Sequence, residues 1–238
     1  PEVPEYTPDL ESIPANSYDE DEFYIDDEGY LRYGSDSLAG IDVSYHQGEI
    51  DWEAVADSGV DFAIIRIGYR GYREGVIYQD PYFLDNIEGA LDNGIEVGIY
   101  FFSQAVTVEG AVEEAEQTVE WLRGYSGDIT FPVVFDWERI SYSGSRTAEL
   151  SAVSVTDCAI AFFDVIESAG YQPMAYVSPS TANEDIYVDR LTDYPMWLAH
   201  YTSDWAMSYY PYYYDMWQYT SSGSVPGIEG NVDLNVLM

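Results

Sequence analysis

Two carboxylates stand two positions apart at the end of an apolar run, in residues 132–138 (PVVFDWE). Side chains alternate along a β-strand, so Asp136 and Glu138 would share one face, about 6–7 Å apart at the backbone. Two like charges at a strand end are costly to hold together, and the usual result is that one stays protonated. One acid and one base are what cleavage of a glycosidic bond requires. The alternative is an ordinary pair of solvated acids.

Single acids interrupt two further apolar runs, one early in the chain and one at its end. Asp42 lies within residues 40–44, and Asp233 repeats the arrangement within residues 231–235. Burying an unpaired carboxylate costs free energy, so each acid must be hydrogen-bonded or functional. In a closed barrel the first and last strands are neighbours, and these two acids could then meet. The alternative is a structural role, with each acid bonded to the backbone or to Arg66.

Aromatic side chains gather at the ends of the same apolar runs. Their faces and polar edges suit sugar rings, although an aromatic residue in a barrel more often packs in the core. Gln218 lies between two aromatic residues, where it could contact a sugar hydroxyl or close a hydrogen-bond network. The wider aromatic group includes Tyr201, Trp217 and Tyr219. The residues predicted to bind substrate are Tyr69, Tyr100, Tyr176, Trp197 and Gln218.

Eight short apolar runs must position these groups, and they alternate with longer stretches of helical period. Residues 81–93, 108–122 and 156–169 have helical spacing, and each is closely followed by a glycine. Strands alternating with helices predict a parallel sheet, and eight buried runs favour a closed barrel with catalytic groups at the C-terminal strand ends. The last connections have weak helical period, so we expect the end of the barrel to lack full helices. The runs are residues 41–45, 62–69, 97–102, 133–138, 174–177, 196–201, 216–219 and 232–237.

The charge balance excludes two classes of partner. The 238 residues include 44 Asp and Glu against 8 basic residues, all arginines, which gives a net charge of −36. Nucleic acids and anionic membranes both require clustered cations, so neither is an expected partner. Two histidines are too few for a His-based metal site, and Cys158 lies in an apolar stretch that suits burial. We therefore expect no cofactor, and a monomer.

Residues 1–38 differ in composition from the remainder. They are rich in proline and acidic residues and poor in aliphatic ones, which is typical of a disordered or loosely docked leader. Tyr24, Ile25, Tyr30 and Leu31 make its last part apolar enough to lie against a folded domain. The predicted division is an acidic leader over 1–38 and a single catalytic barrel over 39–238.

Seven segments of the sequence, taken in their order along the chain, resemble those of glycoside hydrolase family 25, a family of lysozymes. Each motif is weak by itself, but together they cover residues 40–238, and their order makes the resemblance specific. The matching segments are residues 40–44 (GIDVS), 47–52 (QGEIDW), 62–66 (FAIIR), 98–103 (GIYFFS), 132–138 (PVVFDWE), 217–219 (WQY) and 232–233 (VD).

The resemblance implies an α/β fold, namely a flattened TIM-like (β/α)5(β)3 barrel. It also implies an endo-acting muramidase that hydrolyses the β-1,4 bond between N-acetylmuramic acid and N-acetylglucosamine in bacterial peptidoglycan. On the matching positions, Glu138 would be the general acid and Asp136 its partner at the anomeric centre, with Asp42 and Asp233 completing the acidic cleft. A secreted or extracellular location is expected for an enzyme with this substrate.

Several alternatives remain open at this point. The charges of neighbouring acids are expected to raise the pKa of Glu138. Asp136 could attack the anomeric carbon or assist water, or it could orient the substrate's own 2-acetamido group, and the close spacing favours substrate assistance. The chain could instead bind peptidoglycan without cutting it, or cut another N-acetylated polysaccharide such as chitin. A calcium-binding role is disfavoured, because no loop has the EF-hand pattern.

Overall fold

The computed structural model describes residues 6–202 and 208–238. In this part of the chain, eleven strands and five α-helices form, together with short 3-10 turns. The strands are β1 (Phe23–Ile25), β2 (Leu31–Tyr33), β3 (Leu38–Val43), β4 (Phe62–Arg70), β5 (Ile77–Gln79), β6 (Glu96–Ser103), β7 (Ile129–Trp137), β8 (Pro173–Val177), β9 (Met196–Ala199), β10 (Met216–Gly223) and β11 (Val232–Leu237). The helices are α1 (Trp52–Asp57), α2 (Phe83–Asp92), α3 (Val108–Leu122), α4 (Ala152–Ser168) and α5 (Pro179–Glu184).

Eight strands close into a barrel, which confirms the predicted α/β barrel. Their order is β3-β11-β10-β9-β8-β7-β6-β4, and the pairing of β3 with β4 closes the ring. One α-helix follows each of β3, β4, β6, β7 and β8, while the described residues after β9 and β10 form none. This is the (β/α)5(β)3 arrangement. The short strand β5 extends the sheet outside the ring by pairing antiparallel with β4.

The last strand departs from the parallel sheet that the alternation of strands and helices predicted. Strand β11 runs antiparallel to both of its neighbours, β10 and β3. Its connection to β10 spans only residues 224–231, and a parallel crossover needs a dozen or more residues. The chain therefore turns back directly, and the start of β11 lies at the same barrel end as the C-terminal ends of the other strands.

Helix α4 begins four residues before its predicted start at Thr156. Ser151 caps the helix, because its side chain accepts a hydrogen bond from the backbone N–H of Ser154 at 3.2 Å. A serine at this position satisfies an otherwise unpaired helix donor. The helices predicted over 81–93 and 108–122 form as α2 and α3.

The inside of the barrel is filled by large apolar side chains, with polar groups above them. Gly40 leaves room for this filling, since a Cβ at position 40 would lie only 2.2 Å from the ring of Phe62. Residues two positions apart share a face of a strand, so Asp42 lies above Gly40 and Asp136 lies above Val134. The carboxyl groups therefore face the barrel mouth over an apolar base. That base consists of Phe62, Ile64, Val134, Met174, Trp197 and Met216.

The described part of the leader contacts the barrel. Strands β1 and β2 form an antiparallel hairpin, and Leu31 is buried with its backbone N–H donating to the hydroxyl of Tyr219 at 3.2 Å. Arg32 bridges Asp26 of the hairpin and Asp61 of the barrel domain. The leader therefore makes both apolar and polar contacts with the barrel.

Candidate active site

Four carboxyl groups meet at the C-terminal mouth of the barrel. Asp42 lies at the end of β3, Asp136 near the end of β7, and Glu138 directly after β7. Asp233 is the second residue of β11 and is the register partner of Asp42. Because β11 is antiparallel, an acid at its start faces an acid at the end of β3. The structure thus brings together all four residues predicted to be catalytic.

Two side-chain amides hold the carboxylate of Asp42. Its Oδ2 accepts hydrogen bonds from Nε2 of Gln218 at 2.8 Å and from Nδ2 of Asn235 at 2.9 Å. Arg66 does not pair with Asp42; its Nε donates to Oδ2 of Asp80 at 2.7 Å. The alternative in which Arg66 holds Asp42 is therefore wrong.

Aromatic groups fix the orientation of both amides. The hydroxyls of Tyr176 and Tyr201 donate to Oε1 of Gln218 at 3.0 and 2.8 Å, so its NH2 group faces Asp42. The indole N–H of Trp197 donates to Oδ1 of Asn235 at 2.8 Å. Since an indole N–H can only donate, it orients the amide of Asn235 in the same way. Gln218 closes a network that ends on Asp42.

Burial is the largest cause of the raised pKa values in this cluster. It raises the pKa of Asp42 well above its usual range, with the charge of Asp233 adding to it and the two amide donors opposing it. Burial also raises the pKa of Asp233, opposed by its hydrogen bond with Asp42. The two carboxyl groups are therefore arranged to share a proton.

Burial also raises the pKa values of the two acids at the end of β7, Asp136 and Glu138. Burial, followed by the charges of Glu138 and Asp42, raises the pKa of Asp136, while Arg66 lowers it. Its Oδ1 is buried and has no hydrogen-bond partner among the described residues. Glu138 is open to solvent on the cleft side, yet burial by the surrounding protein, and then the charge of Asp233, raises its pKa. Burial thus contributes more than the like charges on which the sequence prediction rested.

A cleft of about 550 Å³ opens beside Glu138. Tyr176 and Tyr201 form part of its wall, and the Tyr176 ring packs edge-on against Trp197 with centroids 4.8 Å apart. Its polar wall also includes Ser178, Thr181, Glu184 and His200. A cleft with hydroxyls, carboxylates and aromatic faces suits a carbohydrate.

The remaining predicted substrate-binding residues differ in their positions. Tyr100 packs against the apolar base of the mouth, and burial raises its pKa, with Arg66 lowering it and the charges of Asp42 and Asp136 raising it further. Trp197 is buried, and its ring lies edge-on to the rings of Tyr100 and Tyr176. Tyr69 lies to one side, with its ring 5.2 Å from the guanidinium carbon of Arg66.

The sequence prediction did not include Asn235 or Asp80 among the site residues. Asn235 follows Asp233 by two positions on one strand, so period-two spacing was a signal for it. Asp80 follows β5 directly and binds Arg66 at a sequence separation of 14 residues, which no spacing rule covers. Among the described residues, no group of three or more His, Cys, Asp or Glu side chains is arranged to hold a metal ion. No helix in the described ranges is long and apolar enough to cross a bilayer.

A closed α/β barrel with carboxyl groups of raised pKa at its mouth, beside a cleft with aromatic walls, fits a glycoside hydrolase. The sequence pattern that defines "Glycosyl hydrolases family 25" matches residues 41–228, and the chain belongs to this family.

Individual relatives agree with this assignment. The chain is 31% identical to the uncharacterized protein YegX of Escherichia coli K12, over 84% of this chain and 69% of that protein. It is 29% identical to lysozyme M1 of Streptomyces globisporus, over 83% of this chain and 67% of that protein. The modular autolysin LytC of Streptococcus pneumoniae superposes with a TM-score of 0.76 at 29% identity, over 91% of this chain and 52% of that one. This chain thus spans about half the length of the autolysin.

Proposed function

We propose that this chain is an endo-acting lysozyme (EC 3.2.1.17 type), which hydrolyses the β-1,4 bond between N-acetylmuramic acid and N-acetylglucosamine in bacterial peptidoglycan. The observation that supports it most is the meeting of four carboxyl groups with raised pKa values at one barrel mouth. Relatives named lysozyme, and a structure of the pneumococcal autolysin in complex with a synthetic peptidoglycan ligand at 28% identity, favour this substrate. The enzyme would act outside the cell, as a monomer.

Glu138 would serve as the general acid. It borders the open cleft, so a glycosidic oxygen can approach its carboxyl group, and its raised pKa keeps a proton available for the leaving oxygen. Activity should therefore decline as the pH rises through the pKa of Glu138.

Asp136 would act on the sugar that is being cleaved. Its Oδ1 has no hydrogen-bond partner among the described residues, and the N–H of a substrate acetamido group that enters the mouth would supply one. That contact would direct the acetamido oxygen towards the anomeric carbon and stabilise the positive charge of the ring that forms. The network through Gln218 and Asn235 fixes Asp42, which holds Asp233 in place beside Glu138.

Replacing the general acid tests the proposal. Glu138→Gln should lower the rate of cell-wall clearing by about 10²–10⁴-fold, because a general acid typically contributes that much. The control is Glu184→Gln, which removes the same charge from the wall of the same cleft and should retain most of the rate. Near wild-type clearing by Glu138→Gln would rule out its role.

The stereochemical course tests the substrate-assisted route. NMR of the first products should show retention at the anomeric carbon, since the acetamido oxygen and then water attack in two inverting steps. Initial formation of the inverted anomer would exclude the route.

A further inference from the structure

The few cations of this molecule are distributed unevenly. Within residues 6–202 and 208–238, six of the eight arginines form ion pairs with Asp or Glu. Arg73 and Arg146 form none there. In a chain with a net charge of −36, these two are the uncompensated positive charges of the described surface.

Both arginines lie on loops at the barrel mouth. Arg73 follows the C-terminal end of β4, and Arg146 lies in the connection between β7 and α4, eight residues after Glu138. The backbone N–H of Arg146 donates to the carbonyl of Tyr72 at 3.0 Å, which joins the two loops. The Arg146 guanidinium packs on the backbone of Gly75, where a Cβ would lie 1.8 Å from Nη1.

Two exposed tyrosines accompany the arginines. The rings of Tyr72 and Tyr142 lie with centroids 6.2 Å apart, and the guanidinium carbon of Arg73 is 5.4 Å from the Tyr72 ring. Both tyrosines are exposed, with relative accessibilities of 38% and 68%. Glu74, the nearest acid in sequence to Arg73, is folded back over Gly71. We call these four residues, Tyr72, Arg73, Tyr142 and Arg146, the arginine–tyrosine rim.

The loops beneath the rim are held by buried groups. Arg70 donates from Nη1 to the carbonyl of Gly75 at 2.7 Å and from Nε to the buried Glu114 at 2.6 Å. Thr147, next to Arg146, donates to Gln104 at 3.1 Å, and Gln104 donates to the backbone carbonyl of Glu138 at 2.9 Å. The rim is therefore a fixed surface that is connected to the backbone of Glu138.

We propose that the arginine–tyrosine rim binds free carboxylates on the peptide stems of the glycan strand that occupies the mouth; this rests on the proposed function. Guanidinium groups match the geometry of carboxylates, and exposed tyrosines offer flat surfaces for the intervening peptide. The rim would offset, at the point of contact, the repulsion between an acidic enzyme and an acidic polymer. The stems are attached to the same strand that is cut, which favours them over other anions of the wall.

The test compares peptidoglycan with free stem carboxylates and the same material after chemical amidation, both stripped of phosphate-containing polymers, and it includes unstripped walls as a third substrate. The double variant Arg73→Gln/Arg146→Gln should lose roughly fivefold in kcat/KM on the free-carboxylate substrate at low ionic strength, mostly through KM. On the amidated substrate, the double variant and the wild type should have the same kcat/KM. The control is Arg123→Gln, which changes an exposed arginine (76%) that pairs with Glu120 at the end of α3 and should lose little on either substrate.

Three results would overturn the inference. They are equal losses by the double variant on both substrates, an equal loss in Arg123→Gln, and a loss that occurs only on walls retaining phosphate polymers, which would assign the rim to phosphate. A wild-type enzyme that cuts neither substrate would instead contradict the proposed function, so the two failures are distinguishable.

Discussion

The carboxyl group of Asp42 lies between two amide donors and a second carboxylate. Gln218 and Asn235 stabilise a negative charge on its Oδ2, while burial and Asp233 oppose ionisation. Because its pKa is raised on balance, the folded protein holds this proton more tightly than the unfolded chain does. The unfolded chain releases it near pH 4. Stability associated with Asp42 is therefore fully present below about pH 4 and is lost as the pH rises through the raised folded-state pKa.

Asp42→Asn should flatten this pH dependence. An asparagine can keep its oxygen towards the two amide donors and its NH2 group towards Asp233, and it has no proton to release. Urea unfolding of the wild type from pH 4 to 8 should show a free energy of unfolding that falls by up to about 1.4 kcal/mol per pH unit for each such proton. The free energy of unfolding of the variant should fall less steeply with pH. The variant should be the more stable protein at pH 8, although it should lose activity.

The control for this experiment is Asp128→Asn, which changes an exposed aspartate in the turn before β7. It should follow the wild-type curve. If Asp42→Asn followed that curve as well, the raised pKa of Asp42 would be contradicted.

At the scale of elements, the leader supports one wall of the cleft. Asn16 donates from Nδ2 to the carbonyl of Tyr210 at 3.0 Å and from its backbone N–H to that of Pro211 at 2.9 Å. Ser208, at the start of the same segment, hydrogen-bonds Nδ1 of His200 at 2.7 Å. His200 and Tyr201 both line the cleft. The leader thus reaches the substrate side of the barrel through residues 208–211.

Asn16→Ala should therefore affect both stability and substrate binding. Losing the side-chain hydrogen bonds should lower the free energy of unfolding by about 1–2 kcal/mol, and loosening the wall should raise KM more than it lowers kcat. Thermal unfolding and steady-state kinetics on soluble peptidoglycan measure the two effects. Asn93→Ala, which removes a local bond to Gly89 in α2, should leave KM unchanged. An unchanged KM in Asn16→Ala would contradict the supporting role.

The elements themselves could largely be predicted from local sequence. Apolar runs of four to eight residues predicted the barrel strands, because a strand buried on both faces needs continuous apolar residues. The direction of β11 could not be predicted in this way, because an apolar run looks the same in a parallel and in an antiparallel strand. Only the length of the connection over 224–231 determines it.

At the scale of the whole molecule, the four acids could be found from sequence because each interrupts or ends an apolar run. The side chains that hydrogen-bond to these acids could not be predicted. Trp197 orients Asn235 across 38 positions of sequence, and Gln218 reaches Asp42 across 176. Such contacts depend on barrel closure and strand register, which no local pattern encodes. The same is true of the arginine–tyrosine rim, whose halves lie on loops after β4 and β7.

The distribution of charged groups over the molecule also depends on the three-dimensional fold. The composition indicates a uniformly acidic protein, whereas within residues 6–202 and 208–238 six arginines are paired with acids and Arg73 and Arg146, at the mouth, are not. At low ionic strength, uncompensated charges act over distances of tens of ångströms, so their location at the mouth affects how a charged polymer approaches.

The most direct test of the central claim is mass spectrometry of the fragments released from purified peptidoglycan, after reduction of their new reducing ends. The account predicts reduced N-acetylmuramic acid at those ends, released by the wild type and lost in Glu138→Gln. Reduced N-acetylglucosamine at the new ends, or no cleavage of the glycan by the wild-type protein, would contradict it.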